Sequence, residues 1–337
     1  MGTKLKIAAV QMRSAYGEVE ANLIKAEKLV RKATLAGAKL VVLPELFNTG
    51  YGYTPANYGL TEALDGQTYR WLTGLAAQLD IHLAGSFLLR KGEDVFNTLL
   101  LAAAHGQTWE YDKTHPWGWE RAYFCPGKGP LIAETALGKI GMLICYDVAY
   151  PDLFAAYAGK IQLLLISSCP PKVNRMKIHF PDGTDVDMAE TGPVARMVQE
   201  SGDYLFDADL RGQAAWLEVP MVNAMPYGDF ASPVPRAKLS LGVSAAGNPR
   251  LWRLIGQADQ AAISAGYNQH TQITDSRGKI LAGAPEEDGF AIAEVEIPVV
   301  SPQQNTPQPK MKLHPASRWV SSLLSWLVVP EYKKHLK

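Results

Sequence analysis

Three side chains able to carry acyl transfer stand just past apolar runs of this chain: Glu45, Lys113 and Cys145. Glu45 follows Val41-Val42-Leu43-Pro44, and Cys145 ends the run Gly141-Met142-Leu143-Ile144. Lys113 lies in Tyr111-Asp112-Lys113-Thr114-His115, after an apolar run at 95–103 and its turn. Such runs read as buried strands, and α/β proteins build their sites at the carboxyl ends of strands. Opening an amide needs a nucleophile, a base for its proton and a cation for the oxyanion. A thiol of ordinary pKa, about 8.5, is only a few per cent thiolate at neutral pH. A nearby ammonium favours the thiolate, and a nearby carboxylate can accept its proton. Taken singly, each residue has a plainer explanation: a solvated loop for the Glu and the Lys, core packing for the Cys. The joint pattern is what points to chemistry.

The elements that must position these groups alternate between β-type and helical segments. Residues 6–11 read as a strand. Residues 20–36 read as a helix, with Leu23, Ala26, Leu29 and Val30 on one face and Gly37 to end it. A second strand at 40–43 is stopped by Pro44, and 67–79 is helical, with Leu72, Leu75, Ala76 and Leu79 spaced for burial. Residues 82–89 and 95–103 form a strand pair across the turn Arg90-Lys91-Gly92-Glu93-Asp94. After Cys145 come a helix near 153–158 and a buried strand at 162–167. Residues 219–225 and three short runs between 269 and 297 complete the strands. The pattern predicts one sheet-built α/β domain over residues 1–298 and a tail over 299–337. Two segments, near 170–212 and 229–267, fit it poorly. The first carries an acidic cluster (Asp182, Asp185, Asp187, Glu190), and the second is rich in Ala, Gly, Pro and Ser. Long excursions of this kind in enzymes serve as lids or pocket walls.

Composition narrows the classes. The chain has 337 residues, a formal net charge of +0 and 47% hydrophobic residues, as a soluble globular protein does. No basic block is present, which argues against nucleic acid as a partner. Met1-Gly2-Thr3-Lys4-Leu5-Lys6 runs straight into the first strand with no secretory leader, and the three cysteines (Cys125, Cys145, Cys169) show no CxxC spacing. A reduced cytoplasm is therefore expected, with no structural zinc. The acidic stretch Asp182-Gly183-Thr184-Asp185-Val186-Asp187 lacks the ligand pattern of a calcium loop. Gly242-Val243-Ser244-Ala245-Ala246-Gly247 misses a serine-hydrolase elbow by one residue. Pocket lining or packing is expected of His115, Cys125 and Cys169. The apolar stretch 319–329 spans roughly 16 Å as a helix, against about 30 Å of hydrocarbon to cross. Its tryptophans, with Lys333, Lys334 and Lys337, would suit a membrane-surface contact. Packing on the body or on a second subunit is the commoner use.

The flanking residues sharpen the reading. Lys6-Ile7-Ala8-Ala9-Val10-Gln11 is followed by Pro44-Glu45-Leu46-Phe47 with Gly50-Tyr51. Next come Lys113-Thr114-His115 with Phe124-Cys125-Pro126-Gly127, then Ile144-Cys145-Tyr146-Asp147 with Tyr150-Pro151-Asp152. In this order, and with weaker likeness near 278–281 and 294–297, about four fifths of the chain resembles the nitrilase superfamily of carbon–nitrogen hydrolases. The resemblance implies a four-layer α-β-β-α sandwich and a Glu-Lys-Cys triad, with no metal and no organic cofactor. Carried over by motif, Cys145 is the nucleophile and Glu45 the general base, first for the thiol and then for water. Lys113 and the backbone N–H of Tyr146 form the oxyanion hole, and Glu120, seven residues beyond Lys113, positions the substrate. Cys145-Tyr146-Asp147 is similar to the amidase and carbamoylase branch, whereas nitrilases more often show Trp-Glu after the cysteine. The expected substrate is a small amide or N-carbamoyl compound, the alternatives being a nitrile or a catalytically silent binding protein. Tails like this one lie at dimer interfaces in the superfamily, so a homodimer or higher homo-oligomer is expected. One departure stands out: the family's Arg-Ala-x-Glu helix reads here Ala215-Trp216-Leu217-Glu218, without the arginine.

Overall fold

Strand β1 (Thr3–Gln11) shows how the layers arise. Its side chains alternate between two cores: Ile7 and Ala9 join the core between the sheets, while Ala8 and Val10 join the core under two outer helices. The computed structural model describes residues 2–191, 204–245 and 248–335. Part of the segment 170–212, the last two residues of Gly242–Gly247, and Lys337 lie outside the described residues.

The first sheet also holds β2 (Leu40–Val42), β3 (His82–Lys91), β4 (Asp94–Ala102), β5 (Thr108–Asp112) and β16 (Gly289–Ile297), in the order β16-β1-β2-β3-β4-β5. The second is built from β6 (Ile132–Thr135), β7 (Gly138–Ile144), β8 (Leu163–Ser167), β11 (Met221–Ala224), β14 (Gln272–Thr274) and β15 (Ile280–Gly283), in the order β15-β14-β11-β8-β7-β6. In each sheet the middle strands are parallel, β1-β2-β3 in one and β7-β8-β11 in the other. Strands β2, β8 and β11 are buried along their whole length. Both faces being covered, their sequences read as continuous apolar runs.

Helices α1 (Val19–Leu35) and α2 (Gln67–Leu79) cover the first sheet through Leu23, Ala26, Val30, Leu72 and Ala76. Helices α3 (Pro151–Tyr157) and α4 (Leu210–Leu217) join the core around the second sheet through Leu153, Phe154, Leu210 and Ala214. This is the four-layer α-β-β-α sandwich expected from the resemblance.

The structure adds elements that the patterns left out. Strand β5 brings Lys113 to a strand end, where a loop was expected, and β6 pairs with β7. The two excursions hold a third sheet, β10-β9-β13-β12, made of β9 (Lys177–His179), β10 (Asp185–Asp187), β12 (Asp229–Pro233) and β13 (Ala262–Gly266). The acidic stretch is the turn and second strand of the β9–β10 hairpin. Helices α5 (Ala237–Ala245) and α6 (Pro249–Leu254) pack with this sheet. Last comes α7 (Pro315–His335), which buries Ser317, Ser321, Leu324, Val328 and Tyr332 on the body. Its outer face leaves Trp319 60% and Trp326 74% exposed. Among the described residues, no helix is long and apolar enough to cross a membrane.

Candidate active site

Glu45, Lys113 and Cys145 each stand within three residues of a strand end, Glu120 lies in the short turn Gly118–Ala122, and the three strand-end turns are tied down. Past β2, Glu45 N–H donates to Ser168 O at 3.3 Å, and Leu46 N–H donates to Ser86 Oγ at 2.9 Å. That turn is joined in this way to both sheets. Past β5, Lys113 N–H donates to Asn97 O at 2.9 Å, and Gly127 N–H donates to Lys113 O at 2.7 Å. A side chain at Gly127 would collide with the carbonyl oxygen of Asp112, so only glycine permits this approach. Past β7, Cys145 adopts φ +45°, a left-handed conformation costly for a residue with a Cβ. Asp147 holds it there, accepting from Ile144 N–H at 3.1 Å, His115 N–H at 2.7 Å and Tyr111 OH at 2.8 Å.

These turns bring the side chains together. Lys113 Nζ donates to Glu45 Oε1 and to Glu120 Oε1, each at 2.8 Å. Glu45 Oε1 also accepts from Asn97 Nδ2 at 2.7 Å, and its Oε2 accepts from Cys169 Sγ at 2.9 Å. Glu120 accepts from Tyr51 OH at 2.6 Å and from Trp117 N–H at 2.7 Å. Cys145 and Cys169 stand beyond neighbouring parallel strands, paired Ile144 to Ser167, and the Cys169 backbone N–H hydrogen-bonds the Cys145 sulfur. Glu45, Lys113 and Glu120 are buried, and Cys145 is 7% exposed. Two carboxylates thus share one buried ammonium, and each carboxylate oxygen also accepts from a neutral donor.

The electrostatics follow from that arrangement. Burial pushes the Cys145 thiol well above its ordinary range, the Glu45 carboxylate adds to this, and the Lys113 ammonium pulls it back only in part. The balance favours the neutral thiol over the thiolate. Burial alone would lower Lys113, but Glu120 and Glu45 more than offset it and hold the ammonium well above the lysine range. Burial likewise raises Glu120, against the pull of Lys113. Asp147 is pushed up to about 6 by burial, with Lys113 and its hydrogen bonds opposing.

Cys145, Tyr146, Glu120 and Tyr51 line a cavity of about 90 Å³. The first excursion supplies Pro170, Pro171, Lys172, Met176, Leu205 and Phe206 to its wall. The second supplies no lining residue, contrary to expectation. Its strand β12 stands one layer back, Phe230 packing on Tyr51 and Tyr53 with ring centroids 5.7 and 5.8 Å apart. Helix α7 reaches the cavity through Ser317, whose carbonyl accepts from Tyr146 OH at 3.3 Å. Ser321 Oγ, one turn on, accepts from Gly118 N–H at 2.9 Å. His115 stacks on Tyr150 at 3.5 Å and is not among the lining residues, and Cys125 meets Asp94 at 3.4 Å instead. The residue patterns missed Asn97 and the contact of Cys169 with Glu45. Asn97 sits mid-strand among apolar neighbours, and that lone amide in a buried run was the available signal.

Comparison with known proteins agrees with this architecture. Residues 6–304 match the family described as carbon-nitrogen hydrolase. A protein of Pyrococcus abyssi named nitrilase is 31% identical over 152 residues, which are 44% of this chain and 58% of that protein. A Bacillus subtilis protein named 2-oxoglutaramate amidase is 34% identical over 171 residues, 49% of this chain and 65% of that one. The chain thus spans about three fifths of the length of the curated relatives it matches. Among solved structures, an amidase from a Nesterenkonia species shares the fold with a TM-score of 0.63 at 20% identity, covering 88% of this chain and 92% of that one. The match over 6–304 takes in both six-stranded sheets and all three strand-end turns. The chain belongs to the carbon-nitrogen hydrolase family.

Proposed function

We propose that the protein is an amidase-type hydrolase that cleaves the C–N bond of a small amide or N-carbamoyl compound through a thioester on Cys145. One observation carries the reading: Glu45, Lys113 and Glu120 form a buried, hydrogen-bonded cluster, and its Glu120 lines the same cavity as Cys145. Relatives named for amidase activity support the same reaction class.

The resting thiol must lose its proton to react, and Glu45 is the base beside it. The thiolate attacks the carbonyl carbon, and the tetrahedral oxygen takes hydrogen bonds from Lys113 and from the backbone N–H of Tyr146. Ammonia or an amine leaves with the proton that Glu45 accepted. Glu45 then takes a proton from water, the resulting hydroxide attacks the thioester, and the acid product departs with the thiol restored. Asn97 and Cys169 keep the Glu45 carboxylate aimed throughout. Glu120, pinned by Lys113, Tyr51 and Trp117, presents a fixed acceptor for the substrate's amide N–H.

The test is ammonia release from a panel of primary amides, N-carbamoyl amino acids, ureides and nitriles, with Cys145→Ala as control. Added hydroxylamine should divert the thioester to a hydroxamate. Release from amides or carbamoyl compounds, with hydroxamate formation, is the expected result. Turnover of nitriles alone would replace the amide reading, and no turnover with unselective alkylation of Cys145, Cys125 and Cys169 would favour a binding protein.

A further inference from the structure

Directly beyond Cys169 the chain forms a small feature that the chemistry above does not use. Pro171 and Tyr267 make an isolated antiparallel bridge. It is closed by Lys172 N–H to Gly266 O at 2.7 Å and Asn268 N–H to Pro170 O at 2.8 Å. Side chains alternate along paired strands, and directly opposed residues share a face. Pro170, Lys172 and Asn268 therefore project on one side of the bridge, and all three line the cavity that holds Cys145 and Glu120.

Their polar groups are unspent. Asn268 is 3% exposed, yet its Oδ1 has no hydrogen-bond partner among the described residues. No carboxylate among the described residues pairs with the half-buried Lys172 ammonium. The rest of that wall is apolar, with Trp117, Met176, Phe206 and Leu313. An amide with a purely aliphatic chain would fill this space and leave both groups unanswered. A cation in an apolar wall is answered best by an anion, and an Asn amide can turn its NH₂ toward the same oxygens. At about 90 Å³ the space is far below a drug-sized pocket, so the chain between the two ends is short.

We propose that Lys172 and Asn268 form a carboxylate subsite, and that the substrate is a short primary amide whose acyl chain ends in a carboxylate. The subsite rests on the amidase reading and specifies its substrate. While Cys145 attacks the amide, the far end of the chain is held by the Lys172 ammonium and the Asn268 side chain.

The test compares kcat/KM of the wild-type protein for pentanamide, the monoamides of succinic and glutaric acid, and 4-aminobutanamide, which carries an ammonium where pentanamide has a methyl. One of the two acid monoamides should exceed pentanamide by about 10–100-fold, and 4-aminobutanamide should be the poorest. Lys172→Met should collapse the acid-to-neutral ratio toward one, and Lys172→Glu should invert the order of acid and ammonium substrates. Asn268→Ala should lower the ratio about tenfold, mainly through KM. Equal turnover of neutral and acidic amides by the wild type would overturn the subsite and leave the amidase reading standing. Turnover of no amide would overturn the subsite, and turnover of no N-carbamoyl compound either would take the hydrolase reading down with it.

Discussion

The two walls of the cavity use their polar groups differently. On the Glu45 side, each carboxylate oxygen and the Lys113 ammonium already has a partner within the protein, mostly at 2.6–2.9 Å. On the Lys172 side, where Lys172 and Asn268 line the cavity, the ammonium has no carboxylate partner and the buried amide oxygen has no hydrogen-bond partner among the described residues. The first wall is preorganised: its groups need not move or shed water when charge develops on the substrate. The second is complete only when something occupies it. Rate should therefore be set on one side and choice of substrate on the other, and mutations can separate the two.

The largest effect belongs to the sulfur. Cys145→Ala should lower ammonia release by about 10⁴-fold or more, measured with the enzyme in excess to exclude contamination. Residual turnover near wild type would move the nucleophile elsewhere. Lys113→Met should cost about 10²–10³ in kcat, as the loss of an oxyanion donor does. It should also cost about 3–5 kcal/mol in urea unfolding, because Glu45 and Glu120 would be left as unpaired buried charges. A variant of full stability would mean that one carboxylate is already protonated.

Asp147 gives a pH-dependent signature. Its folded value of about 6 lies above the ordinary aspartate value of 3.8, so the folded state binds the proton more tightly. The stability this group contributes is full below the unfolded value and is lost as pH rises through about 6. The wild type should therefore lose about 2–3 kcal/mol relative to Asp147→Asn between pH 4 and pH 7.5. Parallel unfolding curves at the two pH values measure it, and a difference independent of pH would refute the shift. The smallest effect is at Cys169. Cys169→Ala removes one donor from Glu45 and should lower kcat about tenfold with KM little changed, while Cys169→Ser restores most of it. A change confined to KM would assign Cys169 to the substrate wall instead.

The sheets that carry the catalytic wall were legible because their strands are continuous apolar runs. Strand β8, Leu163–Ser167, is buried throughout and reads as a strand from its residues alone. The third sheet was not legible. Strands β9 and β10 are three residues long with only the middle residue buried, and β12 ends in Pro233. Neither length nor periodicity marks such strands; pairing with distant partners does. The site divides the same way. Glu45 and Cys145 each follow a recognisable strand, whereas Lys113 follows β5, which the patterns left out. Lys172 and Asn268 carry no local mark and meet only because Pro171 bridges Tyr267.

Helix α7 has a consequence for how the protein is made. Ser317 and Ser321 fasten Tyr146 and Gly118, near neighbours of Cys145 and of Glu120. Synthesis runs from the amino terminus, so a nascent chain carries its cysteine, lysine and both glutamates long before it carries the helix that fastens their turns. Such a chain emerging from the ribosome holds the reactive groups without a finished enclosure. On the proposed reading, activity then waits until α7 has been made and docked.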